Sequence, residues 1–212
     1  MPQPRSRTTA SPNSEGRKTR GDARRRKIFR SLHDCILEKG YVKTTLADVA
    51  QGADMTASHL LYYFQGKEDV LEQYFQSVSD QFVRRLEEMR ELQSAERIVA
   101  LGDFWFKGEA GTRKEIGFML ECFGAAVNDD VLRVTKADFD QRCKEFLCEI
   151  FEAAPSLFMP SAKGAAELAY AMMIGLRSAV YFDDDIDLDG AYDLFLSTMH
   201  RMCGINLSLI HI

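Results

Sequence analysis

Residues 44–71 read TTLADVAQGADMTASHLLYYFQGKEDVL, and their spacing decides the fold. Leu46, Val49, Ala50 and Ala53 recur at i, i+3, i+4 and i+7, which is one apolar face of a helix. Thr45 stands before that run as its cap, and Asp48 three residues on completes a capping-box-like pattern. Ala53-Asp54-Met55-Thr56 then reads as a sharp turn. Asp tolerates a left-handed backbone, Met55 plugs the gap between helices, and Thr56 caps the next helix. That helix is expected to bury Leu60, Leu61 and Phe64 and to leave Ala57, Ser58, His59, Tyr62 and Tyr63 facing outward. Two short helices joined in this way form a helix-turn-helix, whose second helix enters the DNA major groove.

The stretch ends Tyr62-Tyr63-Phe64-Gln65-Gly66-Lys67-Glu68, and here it resembles the TetR family of bacterial transcriptional regulators. The DNA-binding segment of that family runs close to T-x-x-D-I-A-x-x-A-G-V-S-x-x-x-L-Y-x-Y-F-x-x-K-E-x-L. Thr45, Asp48, Val49, Ala50, Ala53, Thr56, Leu60, Tyr63, Phe64, Lys67, Glu68 and Leu71 fall on it or on conservative variants. The chain departs at Asp54, where the family has Gly, at Met55, and at Leu61, where the first aromatic would stand. The resemblance implies a homodimer that binds a palindromic double-stranded DNA operator. It also implies a helical body that senses a small-molecule inducer.

A formal charge of −5 hides an asymmetry. Residues 1–67 carry 13 Lys/Arg against 6 Asp/Glu, and residues 68–212 carry 14 against 26, so a head of +7 sits on a body of −12. That is the charge plan of a DNA-reading head on a body without a DNA role. No apolar run approaches the ~18 residues of a membrane span and no signal-peptide core precedes residue 30, so a cytoplasmic protein is expected. The five cysteines, an odd number without CxxC, read as buried free thiols.

An all-α chain is expected, with a three-helix N-terminal head and a larger helical ligand-binding and dimerisation domain. Residues 1–21, with Pro2, Pro4 and Pro12 among Arg, Ser and Thr, read as a disordered basic arm. A helix over 22–39 carries Ile28, Leu32, Cys35 and Ile36 and ends at Gly40, with Arg24, Arg25, Arg26 and Lys27 near its start to lie along the DNA backbone. The head closes near 67, where a long fourth helix begins. Helices follow over 95–107, 112–127, 129–153, 161–182 and 188–203, the body runs over 68–206, and 207–212 is a tail. The alternation of a strand is nowhere convincing.

Thr56, Ala57, Ser58, His59 and Tyr62 are placed to meet base edges, while Thr45, Tyr63 and Lys67 would contact phosphate. Trp105, Phe118, Cys122 and Phe123 are the candidate pocket residues, and the few charges on their helices favour a largely apolar or aromatic ligand. The resemblance makes the last two helices the dimer interface, with Leu168, Met172, Gly175, Leu176, Phe195 and Met199 as its contacts. Asp185-x-Asp187-x-Asp189-Gly190 opens like a calcium loop, but the Glu needed at its twelfth position is Leu196, so an acidic helix cap is the better reading. The four His are scattered, and no catalytic motif, metal site or cofactor fingerprint is present, so no enzyme is expected. The expected function is a one-component regulator, a repressor released by its ligand. The competing reading is a helical carrier or enzyme that has the apolar cavity and no DNA role.

Overall fold

The structure is a computed structural model that describes residues 12–108, 111–154 and 158–205. The described residues form nine helices and no strand: α1 (Pro12–Lys39), α2 (Leu46–Gly52), α3 (Ala57–Leu60), α4 (Lys67–Met89), α5 (Ser94–Phe106), α6 (Arg113–Ala126), α7 (Asp130–Glu152), α8 (Ala162–Phe182) and α9 (Leu188–Met202). Short polar side chains set where most of them begin. Thr45, Thr56, Thr112, Asp129, Ser161 and Asp187 each accept a hydrogen bond from the backbone N–H three residues on, which satisfies a donor that the helix itself cannot pair. Asp187 of the acidic loop therefore serves as the cap of α9.

The first helix differs from its expected bounds. It reaches back to Pro12, so residues 12–21 are helical and only 1–11 of the expected arm lie outside the described residues. Proline is tolerated in the first turn of a helix, and extending a helix already anchored by Ile28, Leu32 and Ile36 adds a backbone bond per residue without a new nucleus. The tail at 207–212 also lies outside the described residues.

Two apolar clusters organise the chain. Ile28, Leu32 and Ile36 of α1 pack with Val49, Ala50, Ala53, Leu60, Phe64, Val70 and Leu71, and this cluster runs on into Phe118 and Cys122 of α6 and Leu132 of α7. The second cluster joins α4 to α9 around Phe82, Ile98, Trp105, Phe106, Phe146, Phe151, Met173 and Phe195. Close approach matters at Gly102, where a Cβ would stand 3.1 Å from both Tyr192 and Leu196 of α9. Among the described residues no helix is long and apolar enough to cross a membrane.

The last two helices correct part of the expected interface. Phe195 and Met199 are fully buried within the chain's own core, Phe195 with its ring 5.5 Å from that of Phe106, so neither presents a surface. On α8 the outward stripe is Leu168, half exposed at 51%, with Gly175 exposed and Met172 and Leu176 half-buried; Leu194 is the exposed apolar residue of α9. The periodicity of α9 is right, but its apolar stripe serves packing on α5 and α8.

His200 near the end of α9 is buried, and neither ring nitrogen has a hydrogen-bond partner among the described residues. Burial disfavours the charged imidazolium and lowers the folded-state pKa below the ordinary 6.5. The unfolded chain therefore takes up a proton first as pH falls, so stability holds above about 6.5 and is lost below it. His200→Met, which removes the buried unpaired nitrogens, should raise stability at pH 7.5 by roughly 1–3 kcal/mol. Thermal melts at pH 7.5 and 5.5 check both expectations, since the variant should lose less of its melting temperature on acidification than the parent.

Candidate nucleic-acid interface and body cavity

The turn between α2 and α3 rests on Asp54, the one non-glycine residue among those described with a left-handed backbone, at φ +52°. The Asp54 N–H donates to Gln51 O at 3.0 Å and the Met55 N–H to Ala50 O at 3.0 Å, which closes α2. Asp is costlier than Gly at such an angle, and here it gains a partner, because the Lys27 ammonium sits on its carboxylate. That hydrogen bond holds the Asp54 carboxyl below its usual range. Ser31 of α1 donates to Val49 O at 2.8 Å, and a Cβ on Gly52 would fall 2.3 Å from the Ser31 hydroxyl, so α1 and α2 meet closely there.

After Leu60 the helix tightens, with Tyr63 N–H donating to Leu60 O at 2.9 Å. Leu60 and Phe64, four apart, are buried at 0% and 2%, whereas Leu61, expected inside, is 52% exposed. One residue turns the chain about 100°, so Leu61 cannot share the buried face of Leu60. Thr56, Ser58, His59 and Tyr62 are exposed, Ala57 partly so, and together they form one outward surface.

Tyr63 is half-buried, and the Arg24 guanidinium donates to its hydroxyl at 2.9 Å while lying 3.5 Å from His59 Nε2. Arg24, near the middle of α1, is thereby placed beside the outward surface. Thr45 spends its hydroxyl on Asp48, completing the capping box. Lys67 differs from expectation most clearly. Its ammonium donates to Tyr41 O at 3.1 Å and lies 4.3 Å from the centre of the Tyr41 ring, tying the start of α4 to the turn after α1.

Beneath the head, α4 to α8 enclose a cavity of about 190 Å³. Trp105, Phe118, Cys122 and Phe123 all line it, with Tyr74, Phe75, Val78, Phe82, Phe104, Met119 and Phe139. The two charged lining residues, Glu115 and Arg177, escaped the sequence reading. Arg177 is the one charge in the run 168–182 that ends α8, a signal that was available. It donates to Trp105 O at 2.8 Å with its guanidinium 5.0 Å from the Trp105 ring, and burial pulls it down to about 10. Burial pushes the Cys122 thiol up to about 12, which keeps it protonated and a poor nucleophile. His33, also passed over, sits behind the wall between Tyr74 and Glu115.

Residues 28–74 match the profile of bacterial regulatory proteins of the tetR family, and residues 94–204 match that of the BetI-type transcriptional repressor C-terminal domain. Among solved structures the fold is similar to a protein from Saccharomonospora viridis in complex with choline, at 19% identity over 85% of this chain and 96% of that one (TM-score 0.75). A TetR transcription regulator from Haloarcula marismortui is 14% identical over 86% and 97% (TM-score 0.74). A transcriptional regulator from Rhodococcus sp. Rha1 is 18% identical over 84% and 96% (TM-score 0.72). No curated protein matches the chain by sequence.

The two roles open to Lys67 predict different outcomes. If its ammonium neutralised a DNA phosphate, Lys67→Met would cut the slope of log affinity against log salt by about one. The bond to Tyr41 O predicts instead a lower melting temperature with that slope unchanged, which DNA titrations at several salt concentrations would show.

Proposed function

Because the chain belongs to the TetR family of bacterial transcriptional regulators, with a DNA-binding head and a ligand-binding body and no enzymatic role, we propose that it is a cytoplasmic repressor released from a palindromic operator by a small, largely apolar molecule. The observation that carries the reading is the stacking of two features in one chain. An exposed Thr56, Ser58, His59 and Tyr62 surface, flanked by Arg24, stands above an aromatic cavity. The head spans about 22–67 and the body 68–206. A profile for repressors of the BetI type matching the body supports repression over activation.

The operator contacts divide by chemistry. Thr56, Ala57, Ser58, His59 and Tyr62 read base edges, while Tyr63 and Arg24 hold phosphate and fix register, and Thr45 keeps to its capping of α2. Tyr63 reaches phosphate through the hydroxyl that Arg24 orients. Two such heads need a two-fold dimer matched to the DNA turn. The outward stripe of α8, with Leu168, Met172, Gly175 and Leu176, supports that dimer, since no Cβ at Gly175 would meet another atom within 4 Å. A mate helix can approach closely there.

The ring-lined cavity suits an aromatic or branched apolar body, with Glu115 and Arg177 addressing one polar end. A small organic cation is a second reading. Glu115 among aromatic faces favours it, as does the choline in the Saccharomonospora viridis protein, whereas the charge of Arg177 opposes it.

Selection of bound duplexes from a genomic fragment library at near-physiological salt should enrich one palindromic site. Uniform, salt-sensitive retention of all fragments would overturn the repressor reading. Tyr63→Phe should weaken binding to operator and random duplex alike, by roughly fivefold for a missing hydrogen bond of about 1 kcal/mol. Leu168→Arg should leave the fold intact and shift the protein to monomer in sedimentation runs, with operator affinity falling alongside.

A further inference from the structure

The cavity is small for a drug-sized organic ligand. Sites for drug-sized molecules run to roughly 300–1,000 Å³, against about 190 Å³ here. A ligand of that size that enters fully must push part of the wall outward, and what stands behind the wall decides what that push does.

Behind the wall formed by α4 and α6 stands a residue of the head. The His33 side chain of α1 is 16% exposed. Its Nδ1 lies 2.9 Å from the Tyr74 hydroxyl and its Nε2 3.0 Å from a Glu115 carboxylate oxygen, with its ring centre 4.4 Å from that of Phe118. A carboxylate only accepts, so Nε2 donates to Glu115, and in the neutral imidazole Nδ1 then accepts from Tyr74. Burial pushes the Tyr74 hydroxyl above its ordinary range, which keeps it a donor. All three partners line the cavity.

The opposite side of α1 is fixed to the helix-turn-helix. Ser31 holds Val49 O, Lys27 holds Asp54, and Ile28 and Leu32 are fully buried in the head's apolar cluster. One imidazole thus joins the helix that carries the DNA-reading unit to three movable side chains of the ligand chamber.

Resting on the regulator reading above, we infer that His33 is the positioning residue that transmits cavity occupancy to the head: its bonds to Tyr74 and Glu115 hold α1 in the DNA-competent pose, and a ligand that displaces Glu115, Tyr74 or Phe118 releases it. Phe118 and Glu115 are the wall members best able to move, because rotating a side chain costs less than shifting a packed helix. Linkage then makes the effect reciprocal, so operator binding opposes entry of the ligand.

The test needs no identified ligand. Operator affinity is measured on the enriched duplex for the parent, for His33→Phe, which keeps a flat ring against Phe118 and drops both bonds, for Glu115→Met, which keeps the length of the side chain and removes the acceptor, and for the two together. Each single variant should bind the operator at least fivefold more weakly, and the double should be no weaker than the worse single, since both break one link. His33→Gln, whose amide reaches one of the two partners, should recover part of the loss. Circular dichroism and melting curves identify any variant that fails to fold, and Glu115→Met, on the cavity wall, then reads the link by itself. Single variants within twofold of the parent, or losses that multiply in the double, would overturn the inference. Failure of the regulator reading is separate, since it appears as a parent protein with no preferred duplex.

Discussion

The structure depends on α1 being buried from two sides at once. Its stripe of Ile28, Leu32 and Ile36 fills the head, and on neighbouring faces Phe29 meets Tyr74 of α4 while His33 meets Phe118 of α6. A helix held by one neighbour can tilt without consequence. A helix held by α2 on one side and by α4 and α6 on the other makes head and body a single mechanical object, because packed interiors yield in steps rather than continuously. The head cluster accordingly extends into Phe118, Cys122, Ala126 and Leu132, all beyond residue 67. A division at that residue describes the chain's functions better than its packing.

Much of this was legible because it is local. Helix starts follow from Thr45, Thr56, Thr112, Asp129, Ser161 and Asp187, residues whose short side chains reach a backbone N–H three positions on whatever lies around them. The left-handed turn at Asp54 follows from the few residue types that tolerate it. The four cavity residues named from sequence, Trp105, Phe118, Cys122 and Phe123, were recoverable because large apolar side chains on central helices of an aromatic-rich body have few other places to go.

The misreadings share a different cause, tertiary context overriding a local pattern. Leu61 is as apolar as Leu60, yet the chain turned it outward once Phe64 took the buried place a turn later. Phe195 and Met199 fit an interface stripe as well as a core stripe, and only the position of α5 and Gly102 across from them decides which. Lys67 is a different case, since it has the charge for a phosphate and Tyr41 O also lies within its reach, so two roles stay open to it. His33 was the hardest to see, since its partners Tyr74 and Glu115 are 41 and 82 residues away.

The chemistry of the cavity wall favours sensing by shape and polarity over sensing by reaction. A thiol used as a sensor must spend time as thiolate, and Cys122, held to about 12, scarcely does at neutral pH. The wall offers instead a pair of opposite charges with unequal freedom. Arg177 is anchored to Trp105 O and over its ring, deep in α8. Glu115 is in the first turn of α6, where Thr112 caps its N–H and its carboxylate is shared with a residue of the head. A ligand oxygen drawn to Arg177 would find a group already in place. A ligand donor drawn to Glu115 would have to take it from His33. The two charged groups of the same cavity thus differ in kind, one suited to holding a ligand and the other to registering that it has arrived.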